Sequence, residues 1–270
     1  MRFGCCLNMV AGNADGTGIE RIGALTRAGY DYVELPLAEM MQLSEPAFGA
    51  LQDALEKHGV RCEACNNFFP KTMRLTGAQA DPMGETLDYV ERALARAEGL
   101  GVRKVVFGSG GAKQAPAGYP IEKGYLQVVE LLRAIGPIAK KHGVTVVIEP
   151  LRRAECNLIN SFEEGCRLAD DADDPQVKVL ADYYHMSEEN EPAEHVARLA
   201  PGHLAHLHFA NPDGRVYPHD GDGHDYSAFV RAVRSAGYAD TMSCEAYSDN
   251  YERDAARTLA FLRTAFEKEG

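Results

Sequence analysis

The feature that most restricts the fold of this chain is a recurring punctuation mark. "RAGYDYVEL", "EKHGVRCEA", "EGLGVRKVVF", "KKHGVTVVIEP" and "RSAGYADTMSCEA" each set a glycine between a helix-forming stretch and a short β-branched or apolar run. Glycine tolerates the left-handed backbone that stops a helix, so each is read as a helix end followed by a strand. The same rhythm gives eight strands, near 2–8, 31–35, 60–66, 103–108, 144–149, 177–182, 203–209 and 241–246. Helices are expected between them. One is predicted to start at Asp15, with Ile19, Ile22 and Leu25 at helical spacing. Another spans "SEPAFGALQDALEKHG", with Ser44 as N-cap, Glu45 and Pro46 in the first turn and Gly59 just past its end. Eight alternating units in 270 residues match a (β/α)8 barrel, which takes ~250. A doubly wound sheet, the main rival, usually needs fewer strands, and no G-x-G-x-x-G follows the first strand here. No linker or composition break interrupts the pattern, so residues 1–270 are read as one domain. "GSGG" at 108–111 is read as a glycine turn rather than a phosphate cup.

Charge and composition narrow the function classes. A net charge of −12 opposes a nucleic-acid partner, which requires a basic face. No run reaches the ~18 apolar residues of a membrane span. The start, "MRFGCCLNMVAGNADG", lacks the apolar core of a signal peptide, so a cytoplasmic protein of small-molecule metabolism is expected. The seven cysteines are odd in number and irregularly spaced, which argues against a disulfide framework. Cys62 and Cys65 form a lone CxxC on a strand; residues three apart there point to opposite faces, so buried thiols are expected rather than a zinc or redox pair.

In a barrel, chemistry sits where the strands end at their C-termini. Strand five ends in Glu149 ("VTVVIEP"), strand six in Asp182 ("VLADYYHM"), strand seven carries His206 and His208 ("HLHF"), and strand eight ends in Glu245 ("SCEAY"). Three carboxylates converging on one mouth repel unless a cation neutralises them. Three carboxylates and one imidazole suit a divalent ion such as Mn²⁺, Mg²⁺ or Co²⁺. His206 and His208 share a face, and His208 lies nearer the mouth, which makes it the better ligand; His206 is expected one layer deeper, supporting the site by a hydrogen bond.

These four segments, in this order and at these intervals, resemble the xylose isomerase-like TIM barrels, and among them the ketose 3-epimerases and hydroxypyruvate isomerase-like proteins most. The resemblance implies a (β/α)8 TIM barrel with Glu149, Asp182, His208 and Glu245 as ligands of one divalent metal, Mn²⁺ first, with Mg²⁺, Co²⁺ or Zn²⁺ as alternatives. The family's D-x-x-H pattern falls on Asp182 and His185, which makes His185 a substrate contact. Its arginine after strand seven falls on Arg215, and its glutamate six residues after the first ligand falls on Glu155. One turn of helix would bring His185 to the same side as Asp182, and a guanidinium can grip a hydroxyl or carboxylate fork-wise; an exposed histidine and a plain loop arginine are the alternative readings. Asn8, Glu34, Asn66, Asn67 and Phe107 stand at predicted strand ends and are expected to line the pocket, with Asn67 and Phe107 as substrate contacts. The loop "PHDGDGHDY" departs from the family's Pro- and Gly-containing run; it is read as a polar border of the pocket rather than a second metal site at His219, Asp222 and His224.

The chemistry these residues imply is proton transfer next to a carbonyl. Glu149 and Glu245 act as the acid/base pair on an unphosphorylated ketose or related hydroxy-carbonyl compound, through a metal-stabilised enediolate. Loss of a β-hydroxyl from that species would make the same site an inosose-type dehydratase. A non-catalytic binding barrel is the second rival, opposed by the intact quartet. A DNA-repair endonuclease of the same barrel would need histidines at the ends of strands three and four, where this chain reads "CNNFFP" and "FGSGG". A carbohydrate partner, no nucleic acid or membrane, and a homo-oligomer (dimer or tetramer) complete the expectation.

Overall fold

Eight parallel strands close into one barrel in chain order in the computed structural model, which describes residues 1–267. They are β1 (Arg2–Cys6), β2 (Tyr32–Pro36), β3 (Arg61–Asn66), β4 (Lys104–Phe107), β5 (Thr145–Ile148), β6 (Val177–Asp182), β7 (Leu204–Phe209) and β8 (Thr241–Cys244). β8 pairs back onto β1, with Cys5 opposite Cys244, so no strand edge is left open. Helices cover the outside, the longest spanning Met83–Gly99, Ile121–Lys141 and Tyr251–Glu267. The (β/α)8 barrel is therefore the observed architecture, and the five punctuating glycines, Gly29, Gly59, Gly101, Gly143 and Gly237, all have positive φ. The helix Glu45–His58 begins as expected, with the Ser44 hydroxyl accepting from Ala47 N at 3.4 Å. Among the described residues, no helix is long and apolar enough to cross a membrane.

Three local expectations are corrected. No helix starts at Asp15: its carboxylate accepts from Thr17 N (2.9 Å) and Thr17 Oγ1 (2.8 Å), which makes a turn instead. A short 3₁₀ turn over Ile19–Arg21 then leads into the α-helix Ile22–Ala28. The first strand is shorter than read, since Leu7–Val10 is a 3₁₀ turn, which puts Asn8 beyond the strand. Cys62 and Cys65 do not face opposite ways; their sulfurs lie 3.9 Å apart, both buried. The cause is a bulge in β3: Val33 pairs with Cys62 but Glu34 with Ala64, so Glu63 is an extra residue that reverses the alternation.

Alternation along the strands decides what points into the barrel. β4, β5 and β6 place Val106, Val147 and Leu180 together in a small interior cluster. The next inward positions toward the mouth are then Gly108, Glu149 and Asp182. On β7 a second bulge, at Ala205 between the pairs Val179–Leu204 and Leu180–His206, leaves His206 and His208 inward. On β8 the inward series is Thr241, Ser243 and Glu245. Phe209, by contrast, points outward and packs against Phe229 and Phe266.

Candidate metal centre

Glu149, Asp182, His208 and Glu245 each bring a ligand atom within 4.8 Å of the others, and all four are buried. Glu149 and Glu245 stand one residue beyond β5 and β8. His208 Nδ1 lies 2.8 Å from Glu149 Oε1 and 3.2 Å from Glu245 Oε2. Asp182 caps the helix Tyr183–Glu188, its Oδ1 accepting from Tyr184 N at 2.7 Å, while its Oδ2 has no hydrogen-bond partner. That orphaned oxygen, in a buried set of three carboxylates and one imidazole, is what an ion of hard, oxygen-preferring character would satisfy. The residues fit a divalent cation.

Gly108 makes the cluster fit sterically. A Cβ there would fall inside the envelope of Glu149 Oε2 and 3.2 Å from its Cδ, so the "GSGG" turn serves close packing against Glu149. Beneath Glu149, the wholly buried Lys113 donates from Nζ to its carbonyl at 3.1 Å and lies 5.3 Å from the Phe107 ring centroid.

The environment splits the carboxyls. Burial, then the neighbouring Glu245, pushes Glu149 up to about 7. Burial likewise lifts Asp182 to about 6, with Arg215 opposing. Burial also opposes ionisation of Glu245, but Arg215 and His208 outweigh it and hold its carboxyl well below the usual range. Burial disfavours a charged His208, yet Glu34, then Cys6, Glu245 and Glu149, raise it well above the ordinary histidine value.

His185 and Arg215 both reach the centre. His185 Nε2 is 3.6 Å from Asp182 Oδ2 and has no hydrogen-bond partner, while its Nδ1 accepts from Arg152 N at 3.3 Å. Arg215 Nη2 lies 2.5 Å from Glu245 Oε2 and 3.6 Å from Asp182 Oδ2, its Nε is unpartnered, and its guanidinium covers the Tyr184 ring at 4.6 Å. Arg215 holds φ at 51°, an uncommon conformation for a non-glycine residue, in a segment pinned by Val216 bridges to Asn211 and Tyr247. Glu155 stands at the rim, its Oε1 2.8 Å from Arg152 Nε and 4.0 Å from Arg215 Nη1.

Two expected substrate contacts are turned elsewhere. Phe107 is wholly buried among Phe68 and Phe69 in the main core, because Gly108 holds the inward position at the end of β4. Asn67, in a left-handed conformation, donates from Nδ2 to Glu39 Oε1 at 3.1 Å. Its neighbour Asn66 faces the site and donates to Glu245 Oε1 (3.1 Å) and Asn8 Oδ1 (3.0 Å). Glu34 lies not at the mouth but under His208. Lys113 and Cys6, whose Sγ is 3.7 Å from His208 Nε2, carried no sequence signal. In the 218–225 loop, Asp222 accepts from His219 N and His224 N at 3.0 Å and from the Tyr226 hydroxyl at 2.6 Å. Asp222 thus organises the loop, and no metal-ligand group forms there among the described residues.

Comparison with known proteins agrees with this geometry. The chain matches the xylose isomerase-like TIM barrel family over residues 22–265. It is similar to a probable ketose 3-epimerase of Synechocystis sp., 25% identical over 244 residues covering 88% of this chain and 81% of that protein. It is also similar to a D-psicose 3-epimerase of Agrobacterium fabrum, 26% identical over 208 residues, covering 74% of this chain and 69% of that protein. The fold superimposes on a D-psicose 3-epimerase crystallised in the presence of D-fructose with TM-score 0.86, at 20% identity, covering 99% of this chain and all 100% of that one. The closed parallel barrel, the buried quartet at its mouth and the family match together make this chain a member of the xylose isomerase-like TIM barrel family.

Proposed function

We propose that this protein is a divalent-metal-dependent ketose 3-epimerase, acting on an unphosphorylated ketose. The observation that carries the reading is the placement of Glu149 and Glu245, two buried carboxylates that follow β5 and β8, on one ring atom, at 2.8 Å and 3.2 Å from His208 Nδ1. Their environments push their pKa values apart, Glu149 to about 7 and Glu245 downward. Such a split separates an acid from a base. Glu149, Asp182, His208 and Glu245 would hold the ion, with Mn²⁺ as the favoured metal. When bound, the ion polarises a substrate carbonyl and acidifies the adjoining C–H.

The chain's own groups supply the rest. Glu245 Oε1 is fixed by Asn66, so one glutamate takes the proton from the carbon beside the carbonyl while the other returns one to the opposite face. His185 Nε2 and Arg215 Nε, both buried and unpartnered, supply donors that a polyhydroxylated chain satisfies. Arg215 and Glu155 border the substrate's far end. Asn67 and Phe107 support the wall from behind rather than touching the sugar. The named relatives are epimerases, which favours epimerisation over dehydration, and the complete quartet favours an enzyme over a binding barrel. One domain over 1–270 is part of the reading; residues 268–270 lie outside the described structure. So are a cytoplasmic setting, supported by seven free thiols, and a dimer or tetramer, which sedimentation velocity measures.

The test is a panel of ketoses with Mn²⁺ in D₂O. Solvent deuterium is expected at C3 of the substrate and its epimer, and Glu149→Gln or Glu245→Gln should cut turnover by ~10²–10⁴-fold. Metal-loaded protein that exchanges no C–H of any ketose would refute the proposal.

A further inference from the structure

We infer that Glu34 is the positioning residue of the metal centre, fixing which nitrogen of His208 is free to bind the ion; this rests on the metal reading above. Glu34 is wholly buried on β2, 174 residues from His208 in sequence. Its Oε1 lies 3.0 Å from His208 Nε2 and its Oε2 lies 2.9 Å from His206 Nε2. An ionised carboxylate only accepts hydrogen bonds, so both imidazoles donate Nε2–H to it. The proton that His208 keeps when an ion takes the place of the other is thereby on Nε2, and Nδ1, on the side of Glu149 and Glu245, is the nitrogen left for the ion.

The carboxylate cannot turn away from this duty. Its second oxygen is occupied by His206, whose own Nδ1 accepts from the Thr241 hydroxyl at 2.7 Å. Ser243 Oγ sits 3.5 Å from His206 Nε2 and 2.8 Å from the Tyr32 hydroxyl. Every member of this chain is at most 1% exposed, so water does not substitute for any of them. A hydrogen bond from the remote nitrogen of a metal-binding histidine fixes its tautomer and ring orientation, and its loss typically weakens metal binding 10–100-fold. Glutamine at position 34 cannot do the same work. Its oxygen accepts from one imidazole, while its NH₂ faces the other and forces that ring's proton onto Nδ1, the ligand position if the ring is His208.

The experiment titrates Mn²⁺ into metal-stripped wild-type protein and Glu34→Gln by calorimetry, and measures turnover against Mn²⁺ concentration. One ion per chain is expected for wild type, and a Kd raised 10–100-fold in the variant. Raising Mn²⁺ should restore most of the variant's turnover, which a merely unfolded or disordered site would not allow. A measurement on wild-type protein alone covers the case of a variant that does not fold. Histidine ¹⁵N NMR of the Zn²⁺-loaded protein should find His208 protonated on Nε2 and metal-bound through Nδ1. An unchanged Kd in Glu34→Gln, a proton on Nδ1, or two ions per chain with the second between Glu34, His206 and His208 would each overturn the inference while leaving the metal site standing. A wild-type protein that binds no divalent ion would overturn the metal reading and this inference with it.

Discussion

Gly108→Ala isolates the placement of one carboxylate from the stability of the fold. The alanine Cβ would sit 3.2 Å from Glu149 Cδ and 3.6 Å from Leu151 Cδ2, and closer still to Glu149 Oε2. Carbon and oxygen atoms in good contact keep ~3.5 Å, so the carboxylate oxygen must retreat by about 1.4 Å. The backbone at Gly108 is not in the left-handed region, so alanine brings no backbone strain. Replacing glycine at a compatible position removes unfolded-state entropy and stabilises by ~0.4–1 kcal/mol, which offsets part of the displacement cost. The expected melting temperature therefore stays within about 4 °C of wild type. A misplacement of about 1 Å at a reacting group costs on the order of 10²-fold in rate, so kcat/KM for the epimerised ketose should fall by about that factor. Mn²⁺ affinity should fall as well, because the same carboxylate belongs to the proposed ligand set. Paired thermal melts, calorimetry and initial rates at saturating Mn²⁺ make the comparison. A Gly108→Ala protein with wild-type kcat/KM and wild-type Mn²⁺ affinity would refute the placement of Glu149 at the centre of the site.

Arg215→Ala should raise KM and move the acidic limb of the kcat/KM pH profile upward, because Arg215 is the largest influence holding the Glu245 carboxyl down; an unmoved limb counts against that pairing. Asn66→Ala frees Glu245 Oε1 and should lower kcat ~10-fold through lost orientation, with little change in KM; equal loss in both would mean that Asn66 only shapes the pocket. In the metal-free protein Glu149 (about 7) and Asp182 (about 6) keep protons that the unfolded chain has already released, so their contribution to stability falls as pH rises from about 5 to about 7. Burial of His185 and His206, held neutral while unfolded imidazoles are protonated, works the other way. The Glu149 part is therefore read as the Glu149→Gln minus wild-type stability difference, which should increase with pH across this window. Glu34 and Glu245, both held low, stay charged across that window. Mn²⁺ competes with those protons, so its stabilising shift in melting temperature should be larger at pH 8 than at pH 5.5; equal shifts would contradict the raised values.

Local sequence signals specify the barrel and the four residues that meet at its mouth. Helix stops, strand runs and caps are local, and each can be read where it stands: Gly59 ends its helix at φ 63° and Ser44 caps it. Once eight strands alternate with helices, closure brings their C-terminal ends together, and Glu149, Asp182, His208 and Glu245 meet because of that rule rather than any pairing visible along the chain. Sidedness within the barrel was decided only in three dimensions. A strand residue faces the interior or the helices according to its parity, and one extra residue in a bulge inverts that parity. The extra Glu63 in β3 brings Cys62 and Cys65 onto one face. A one-residue difference at the end of β4 gives the inward place to Gly108 and sends Phe107 into the core. The partnership of Glu34 with His206 and His208 joins β2 to β7 across the barrel's interior, and no local pattern encodes a contact between strands that are neighbours to neither. The strand order supplied the quartet; the cross-barrel hydrogen bonds that orient it exist only once the sheet has closed.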